Sequence, residues 1–219
     1  MNRPITLLFG VLLLSASTCL QAQEQWASSM QHFAAMDAQN QPAPGAVLFV
    51  GSSSIARWKD IADYFPEHRI LNRGFGGSQF SDLIYYADQV IYPYQPAKIF
   101  IYEGDNDLAA GDSPKAILKE AKKLRRIIAK ALGKDIPVVF IAPKPSVARW
   151  ELKGSYEQLN TLLERYARRT AHTAFADVWT PALDEGGQVL QHLFLEDNLH
   201  MNAAGYAIWQ KVLQPFLEQ

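Results

Sequence analysis

The sequence predicts an α/β fold in which a five-stranded parallel sheet lies between two layers of helices. Five short apolar runs alternate with longer helical or turn-rich stretches between residues 46 and 217. The runs are almost continuously apolar, whereas a strand with one solvated face would alternate apolar and polar residues. Strands that are buried on both faces and separated by helices are typical of a three-layer α/β/α sandwich.

The predicted strands are these apolar runs. In chain order they are Ala46–Val50, Ile70–Asn72, Lys98–Tyr102, Pro137–Ile141 and Thr173–Ala176. A loop over residues 39–45 precedes the first strand, because Pro42, Pro44 and Gly45 interrupt any regular structure there. No repeat or interdomain linker is visible, so we expect one domain over residues 23–219.

Hydrophobic periodicity and end signals predict the helices. They are Trp26–Ala38, Ser78–Val90, Ser113–Leu132, Lys153–Thr170 and Asn202–Leu217. The helix from Ser113 has the clearest ends: Ser113 is a capping residue, Pro114 suits the first turn and Gly133 supplies a stop.

Composition and charge argue against nucleic-acid binding. The chain has 219 residues, of which 48% are hydrophobic and 20% charged, and its formal net charge is −1. Its densest basic run, Lys119–Arg126, is interleaved with Ala, Leu and Ile, which is typical of a solvated helix face. We therefore expect no nucleic-acid partner; composition does not predict the oligomeric state.

The first 22 residues have the pattern of a secretory signal peptide. Arg3 supplies a positive charge, residues 5–14 are almost wholly apolar, and small residues follow. The apolar core is shorter than the ~20 residues of a spanning helix, so we expect no stable membrane insertion. We expect cleavage after Ala22 and export to the periplasm or the extracellular space. Lipoprotein anchoring through Cys19 is the alternative, although the preceding residues fit it poorly.

Small and polar residues follow the first three predicted strands. Ser53 follows the first strand, Gly77 the second and Asn106 the third. Parallel strands end at one rim of the sheet, where ligands bind in open α/β folds. We therefore expect these three residues to lie near one another at a ligand site.

Ser53 and His200 are the predicted nucleophile and base. A serine between a buried strand and a helix N-terminus lies where backbone N–H groups favour negative charge, but its hydroxyl needs a neighbouring base. Among the five histidines, only His200 has an acid, Asp197, at informative spacing within a loop. Asp197 would orient the imidazole. Two plainer interpretations stay open: Ser53 as a helix cap, and the Asp–His spacing as a helix-start cap.

An oxyanion hole needs hydrogen-bond donors aimed at developing negative charge. The candidates are the backbone N–H groups of Ser53 and Gly77 and the side-chain amide of Asn106. Gly77 suits this task because it has no side chain to block a substrate. Taken singly, Gly77 could belong to a tight turn, and Asn106 could stabilise one.

The acidic residues Glu103, Asp105 and Asp107 suggest a metal site, but their spacing fails. A calcium loop that began at Asp105 would need glycine at its sixth position and glutamate at its twelfth, where the chain has Ala110 and Ala116. Paired histidines at zinc-ligand spacing and phosphate-binding glycine loops are also missing. We expect no metal and no organic cofactor.

Four segments together resemble a known family. They are Gly51-Ser52-Ser53-Ser54-Ile55, Gly76-Gly77-Ser78, Gly104-Asp105-Asn106-Asp107 and Asp197-Asn198-Leu199-His200. Their order and spacing resemble the SGNH hydrolases, the GDSL-type esterases, over nearly all of the mature chain. Ser52 stands where the family has aspartate and Ser54 where it has leucine, as in a Gly-Ser-Ser-Ser-Ile subgroup. The triple serine leaves Ser54 as an alternative nucleophile.

The resemblance implies a flavodoxin-like fold and a serine esterase that acts on a small-molecule ester. This esterase would use Ser53, His200 and Asp197, with Ser53, Gly77 and Asn106 as the oxyanion hole. No long apolar lid segment is visible, which favours short acyl groups such as acetyl esters of carbohydrates. Arg149 and Trp150 end a segment, residues 143–150, that resembles the Lys-Pro-Ser…Arg-Trp segment of the subgroup. We expect these two residues at a substrate-pocket wall, with simple loop packing as the alternative. Alternative functions are a lysophospholipase, a thioesterase, or a non-catalytic carbohydrate-binding module.

Overall fold

The computed structural model describes residues 25–218, and the chain divides into two compact units after Gln41. In the first unit, helix α1 comprises Ala27–Gln39, one residue later at each end than the prediction. The predicted signal peptide, residues 1–22, lies outside the described residues.

The second unit contains the predicted five-stranded sheet. Its strands are β1 (Val47–Gly51), β2 (Ile70–Gly74), β3 (Lys98–Tyr102), β4 (Val138–Ile141) and β5 (Thr173–Ala176). All neighbouring pairs are parallel, in the order β2-β1-β3-β4-β5. The α/β class and the five-stranded parallel sheet are therefore confirmed. Strands β3 and β5 have the predicted bounds, and β2 continues two residues further, to Gly74.

The helices of the second unit vary widely in length. They are α2 (Ser53–Ala56), α3 (Ile61–Tyr64), α4 (Phe80–Tyr85), α5 (Ala87–Val90), α6 (Asp105–Ala109), α7 (Pro114–Leu132), α8 (Lys153–Ala167) and α9 (Ala203–Leu217). Helix α7 begins as predicted, because the Ser113 hydroxyl accepts a hydrogen bond from the Ala116 N–H at 3.3 Å. Over residues 25–218, no helix is both long and apolar enough to cross a membrane.

Helices cover both faces of the sheet. On one face, Phe49 of β1 and Phe100 of β3 stack 4.5 Å apart, and Trp209 of α9 packs against Tyr102. Phe140 of β4 is in register with Ile101 and so points to the opposite face, where it contacts α4 and α8. The sheet is thus the middle of three layers, as the continuous apolarity of its strands predicts.

The predicted helix over Ser78–Val90 is wrong in two respects. Ser78 lies outside it, because its hydroxyl donates to Glu103 and its carbonyl accepts from Asn106. The helical region then divides at Tyr86, whose ψ of 10° lies outside the α-helical range. Both differences arise from tertiary contacts and backbone geometry that hydrophobic periodicity does not report.

The strand order determines at which strand ends the site lies. The chain passes from β1 outward to β2 and then returns to β3 on the other side of β1. The carboxyl ends of β1 and β3 therefore form the switch point, where the direction of winding reverses and a crevice opens. Ser53 follows β1, and Asn106 follows β3.

Candidate active site

Ser53 lies directly beyond the end of β1, in a turn that depends on glycine. Gly51 has a φ of +134°, and a Cβ there would lie 2.1 Å from the Tyr102 carbonyl oxygen. Only glycine lets β1 approach β3 so closely before the chain turns. Ser53 is then the first residue of α2 and is half-buried, whereas Ser52 and Ser54 are each 1% exposed. Burial thus singles out Ser53 as the accessible serine of the three.

The loop before α9 holds His200 and Asp197 in one short turn. One Asp197 carboxylate oxygen accepts the backbone N–H groups of Leu199 and His200, at 3.0 and 2.9 Å. The other oxygen lies 2.7 Å from His200 Nδ1. Asn198 has a φ of +56°, a left-handed conformation that asparagine tolerates. The three-residue spacing therefore lets one carboxylate fix both the turn and the imidazole ring.

The structure brings Ser53, His200 and Asp197 into one hydrogen-bonded series. His200 Nε2 lies 3.0 Å from the Ser53 hydroxyl oxygen, although 147 positions separate the two residues. Hydrogen bonds from the ring and the backbone N–H of His200 hold the pKa of Asp197 well below its usual range. The ionised carboxylate favours the tautomer with its proton on Nδ1, which leaves Nε2 free to accept the serine proton.

The turn after β2 presents an open backbone N–H beside Ser53. A Cβ at Gly76 would lie 3.8 Å from the Ser53 Cβ, so this turn lies against the serine. Gly77 has a φ of +86°, and a Cβ there would meet nothing within 4 Å. In the part of the chain that the structure describes, the backbone N–H groups of Ser53 and Gly77 have no protein acceptor. Both are available to a ligand oxygen.

The Asn106 side chain is held at the same turn. Its Nδ2 donates to the Ser78 carbonyl at 2.9 Å, which uses one of its two N–H groups. The backbone carbonyl of Asn106 accepts a hydrogen bond from the Gln79 side chain at 3.4 Å. Hydrogen bonds thus join the turn that carries Gly77 to Asn106, although the two predicted donors do not bond to each other.

Two buried carboxyl groups, those of Asp107 and Glu103, hydrogen-bond to the turns after β2 and β3. Asp107 accepts backbone N–H groups from Phe80 and Gly104, each at 3.1 Å, and so holds α4 against the start of α6. Burial raises the pKa of Asp107 to about 7. Burial, and secondarily the Asp107 charge, raises the pKa of Glu103 well above its usual range, while the Ser78 hydroxyl donates to Glu103 at 2.6 Å. The sequence analysis did not assign Glu103 a role at the site.

Arg149 and Trp150, expected at a pocket wall, have partners within the protein. The Arg149 guanidinium donates to the Asp105 carboxylate at 2.6 Å and to the Asn106 side-chain oxygen at 3.1 Å. The Trp150 ring stacks on Trp179 with centroids 6.0 Å apart. Substrate contact by these two residues stays a prediction.

Lys144 is a further residue that the sequence analysis missed. Its ammonium group is buried, donates to the Leu199 carbonyl at 2.7 Å and lies 3.6 Å from the Asp105 carboxylate. The available signal was a lysine between two prolines just after a buried strand, but the sequence did not reveal its partners. Within residues 25–218, no cluster of three or more His, Asp or Glu side chains could hold a metal ion.

Among enzymes, a serine hydroxyl aligned with an imidazole whose other nitrogen faces a carboxylate is the geometry of the serine hydrolases. Fold and site together point to that class. A family model described as the GDSL-like Lipase/Acylhydrolase family matches residues 44–208, well over half of the sequence, and the chain belongs to this family. The protein is a hydrolase that acts on ester bonds.

Solved structures share the fold. A Streptococcus pneumonia structure proposed to be a platelet activating factor has a TM-score of 0.75 at 22% identity, covering 94% of this chain and 98% of its own. A GDSL-like lipase from Bacteroides thetaiotaomicron has a TM-score of 0.71 at 20% identity, with coverages of 86% and 97%. An acetylxylan esterase from Geobacillus stearothermophilus has a TM-score of 0.62 at 15% identity, with coverages of 78% and 94%. No curated protein sequence matches significantly.

Proposed function

We propose that the protein is an exported serine esterase that hydrolyses carboxylic esters of short acyl groups. The observation that carries this proposal is the series from Asp197 through His200 to Ser53, with hydrogen-bond distances of 2.7 and 3.0 Å. In this mechanism the Ser53 oxygen attacks the ester carbonyl carbon while His200 Nε2 takes the hydroxyl proton. The protonated imidazole then gives that proton to the departing alcohol.

The second half of the reaction returns the enzyme to its starting state. Water attacks the acyl carbon, His200 takes a water proton, and the bond between that carbon and the Ser53 oxygen breaks. Ser53 recovers its proton from His200, and the carboxylic acid leaves. In both halves the carbonyl oxygen carries negative charge, which the N–H groups of Ser53, Gly77 and Asn106 would stabilise.

The substrate class is proposed on weaker grounds. The sequence has no long apolar segment of the kind that forms a lid, and long acyl chains would need apolar surface to bind. One solved neighbour is an acetylxylan esterase, which supports acetyl esters of carbohydrates as candidates.

We expect turnover to be fastest with acetyl esters. The test is a series of p-nitrophenyl esters of increasing acyl length, with acetylated xylo-oligosaccharides assayed alongside, for wild type and Ser53→Ala. A wild type that prefers acyl chains of eight or more carbons would overturn the short-acyl proposal. Acetate release that persists in Ser53→Ala would instead overturn the serine mechanism.

We also propose that the protein is exported after cleavage following Ala22. The basis is the charged start, short apolar core and small residues of positions 1–22. Mass spectrometry of protein expressed from the full gene in a bacterial host should show an unmodified N-terminus near Gln23 in the periplasm or medium. A lipid-modified N-terminus at Cys19 would replace this proposal with membrane anchoring, and a cytoplasmic protein that keeps Met1 would refute export.

A further inference from the structure

The Asn106 side chain is fixed by two different partners. Its oxygen accepts from Arg149 Nη2 at 3.1 Å, and its nitrogen donates to the Ser78 carbonyl at 2.9 Å. Rotating the amide by 180° would place N–H groups against the guanidinium and the amide oxygen against the Ser78 carbonyl. Both contacts would then be repulsive, so the partners define one orientation. In that orientation one of the two amide N–H groups has no hydrogen-bond acceptor among the described residues.

Arg149 is itself held by Asp105. One guanidinium nitrogen lies 2.6 Å from the Asp105 carboxylate and 3.0 Å from its backbone carbonyl, while the other reaches Asn106. Burial alone would raise the pKa of Asp105, but Lys144 and Arg149 bring it below its ordinary value. Asp105 is therefore ionised at neutral pH. The hydroxyl of Tyr102 also donates to it at 2.9 Å.

We propose that Arg149 is a positioning residue that sets the Asn106 amide for the oxyanion, anchored in turn by Asp105. The proposal rests on the esterase function proposed above and deepens it. The planar guanidinium has donors in a fixed fork, which suits it to bridge a carboxylate and an amide oxygen at once. Donation to the amide oxygen also polarises the amide and strengthens its remaining N–H as a donor.

A double-mutant cycle between Arg149 and Asn106 tests this role. Asn106→Ala should lower kcat by about 10²- to 10³-fold with little change in KM, because the donor acts in the transition state. Arg149→Met should lower kcat by about 10- to 10²-fold, again with little change in KM. In the Asn106→Ala background, Arg149→Met should cost less than ~3-fold further, because its effect passes through the missing amide.

Two more variants separate positioning from charge and from folding. Arg149→Lys keeps the charge but cannot bridge both partners, so it should fold and still lose about 10-fold in kcat; it carries the test if Arg149→Met does not fold. Arg126→Met removes an equal charge from an exposed position on α7 and should leave kcat and KM unchanged.

The outcomes distinguish this inference from the function on which it rests. A raised KM for Arg149→Met that persists in the Asn106→Ala background would assign Arg149 to substrate binding and overturn the positioning role. Full activity in Arg149→Lys or in Asn106→Ala would overturn it equally. Loss of the proposed function has a separate signature, namely ester turnover that does not depend on Ser53.

Discussion

Ser53→Ala is expected to reduce ester turnover by at least ~10³-fold while leaving the fold intact. Ser53 supplies the hydroxyl that lies 3.0 Å from His200 Nε2, and its removal leaves no nucleophile at that position. Loss of one member of a catalytic triad typically costs this much or more. The measurement is kcat on p-nitrophenyl acetate, with circular dichroism to show that the variant is folded.

Ser52→Ala and Ser54→Ala are the matched controls. The Ser52 hydroxyl is buried and has no hydrogen-bond partner within the described residues, so its loss removes no hydrogen bond and should not reduce stability. Ser54 is buried as well, and its carbonyl accepts from the Tyr206 hydroxyl through the backbone, which alanine retains. Its side chain also hydrogen-bonds to the Tyr102 hydroxyl, so Ser54→Ala should lose some stability. Both variants should keep most of the activity. A dead Ser54→Ala beside an active Ser53→Ala would show that the nucleophile is Ser54.

The sheet could be predicted from the sequence because its strands are short, mostly apolar runs, and the three central strands, β1, β3 and β4, are buried on both faces. Residues 98–102 and 173–176 are short apolar runs with clear breaks at each end, and the observed strands have the same bounds. Helix α7 was also predictable, since the Ser113 cap and the Gly133 stop are local signals. In these segments the local preference and the tertiary structure agree.

Short elements were harder to predict because their causes are not local. Helices α2 and α6 have four and five residues, too few to display a helical period. The helix break at Tyr86 likewise has no Pro or Gly beside it from which it could be predicted. Such elements form where longer-range hydrogen bonds fix the backbone, such as the one that Asp107 accepts from the Phe80 N–H, 27 residues away in sequence.

The site was predictable where its parts follow strand ends or lie close in sequence. Ser53 and Asn106 follow neighbouring parallel strands, and Asp197 lies three residues before His200.

The charged residues that hold these side chains in position could not be predicted from the sequence. Asp105 and Arg149 are 44 residues apart, and Lys144 meets the Leu199 carbonyl 55 residues away. Only the packing of the loops after β3 and β4 against each other and against the turn before α9 brings these groups together.

The second large effect is expected for Asp197→Asn, which should lower kcat by about 10³- to 10⁴-fold. An asparagine oxygen can still accept the N–H groups of Leu199 and His200, so the turn should survive. Its amide nitrogen would then face His200 Nδ1, which must become an acceptor. The ring proton would move to Nε2, the nitrogen that has to accept the Ser53 proton. His200→Ala should lose more, because no imidazole remains.

A pH profile separates this tautomer effect from a loss of structure. Wild-type kcat/KM should fall in acid, because a protonated His200 cannot act as a base, whereas the pKa of Asp197 is held too low for its carboxylate to be the group that titrates. Asp197→Asn should lower kcat/KM throughout the neutral pH range, because asparagine favours the ring proton on Nε2 wherever the imidazole is neutral. Wild-type kcat/KM in this range, or a kcat within tenfold of wild type, would remove Asp197 from the mechanism. Because the turn is preserved, Asp197→Asn should unfold thermally in a single transition, as wild type should. Its lost activity would then be due to a proton on Nε2 of His200 and not to unfolding.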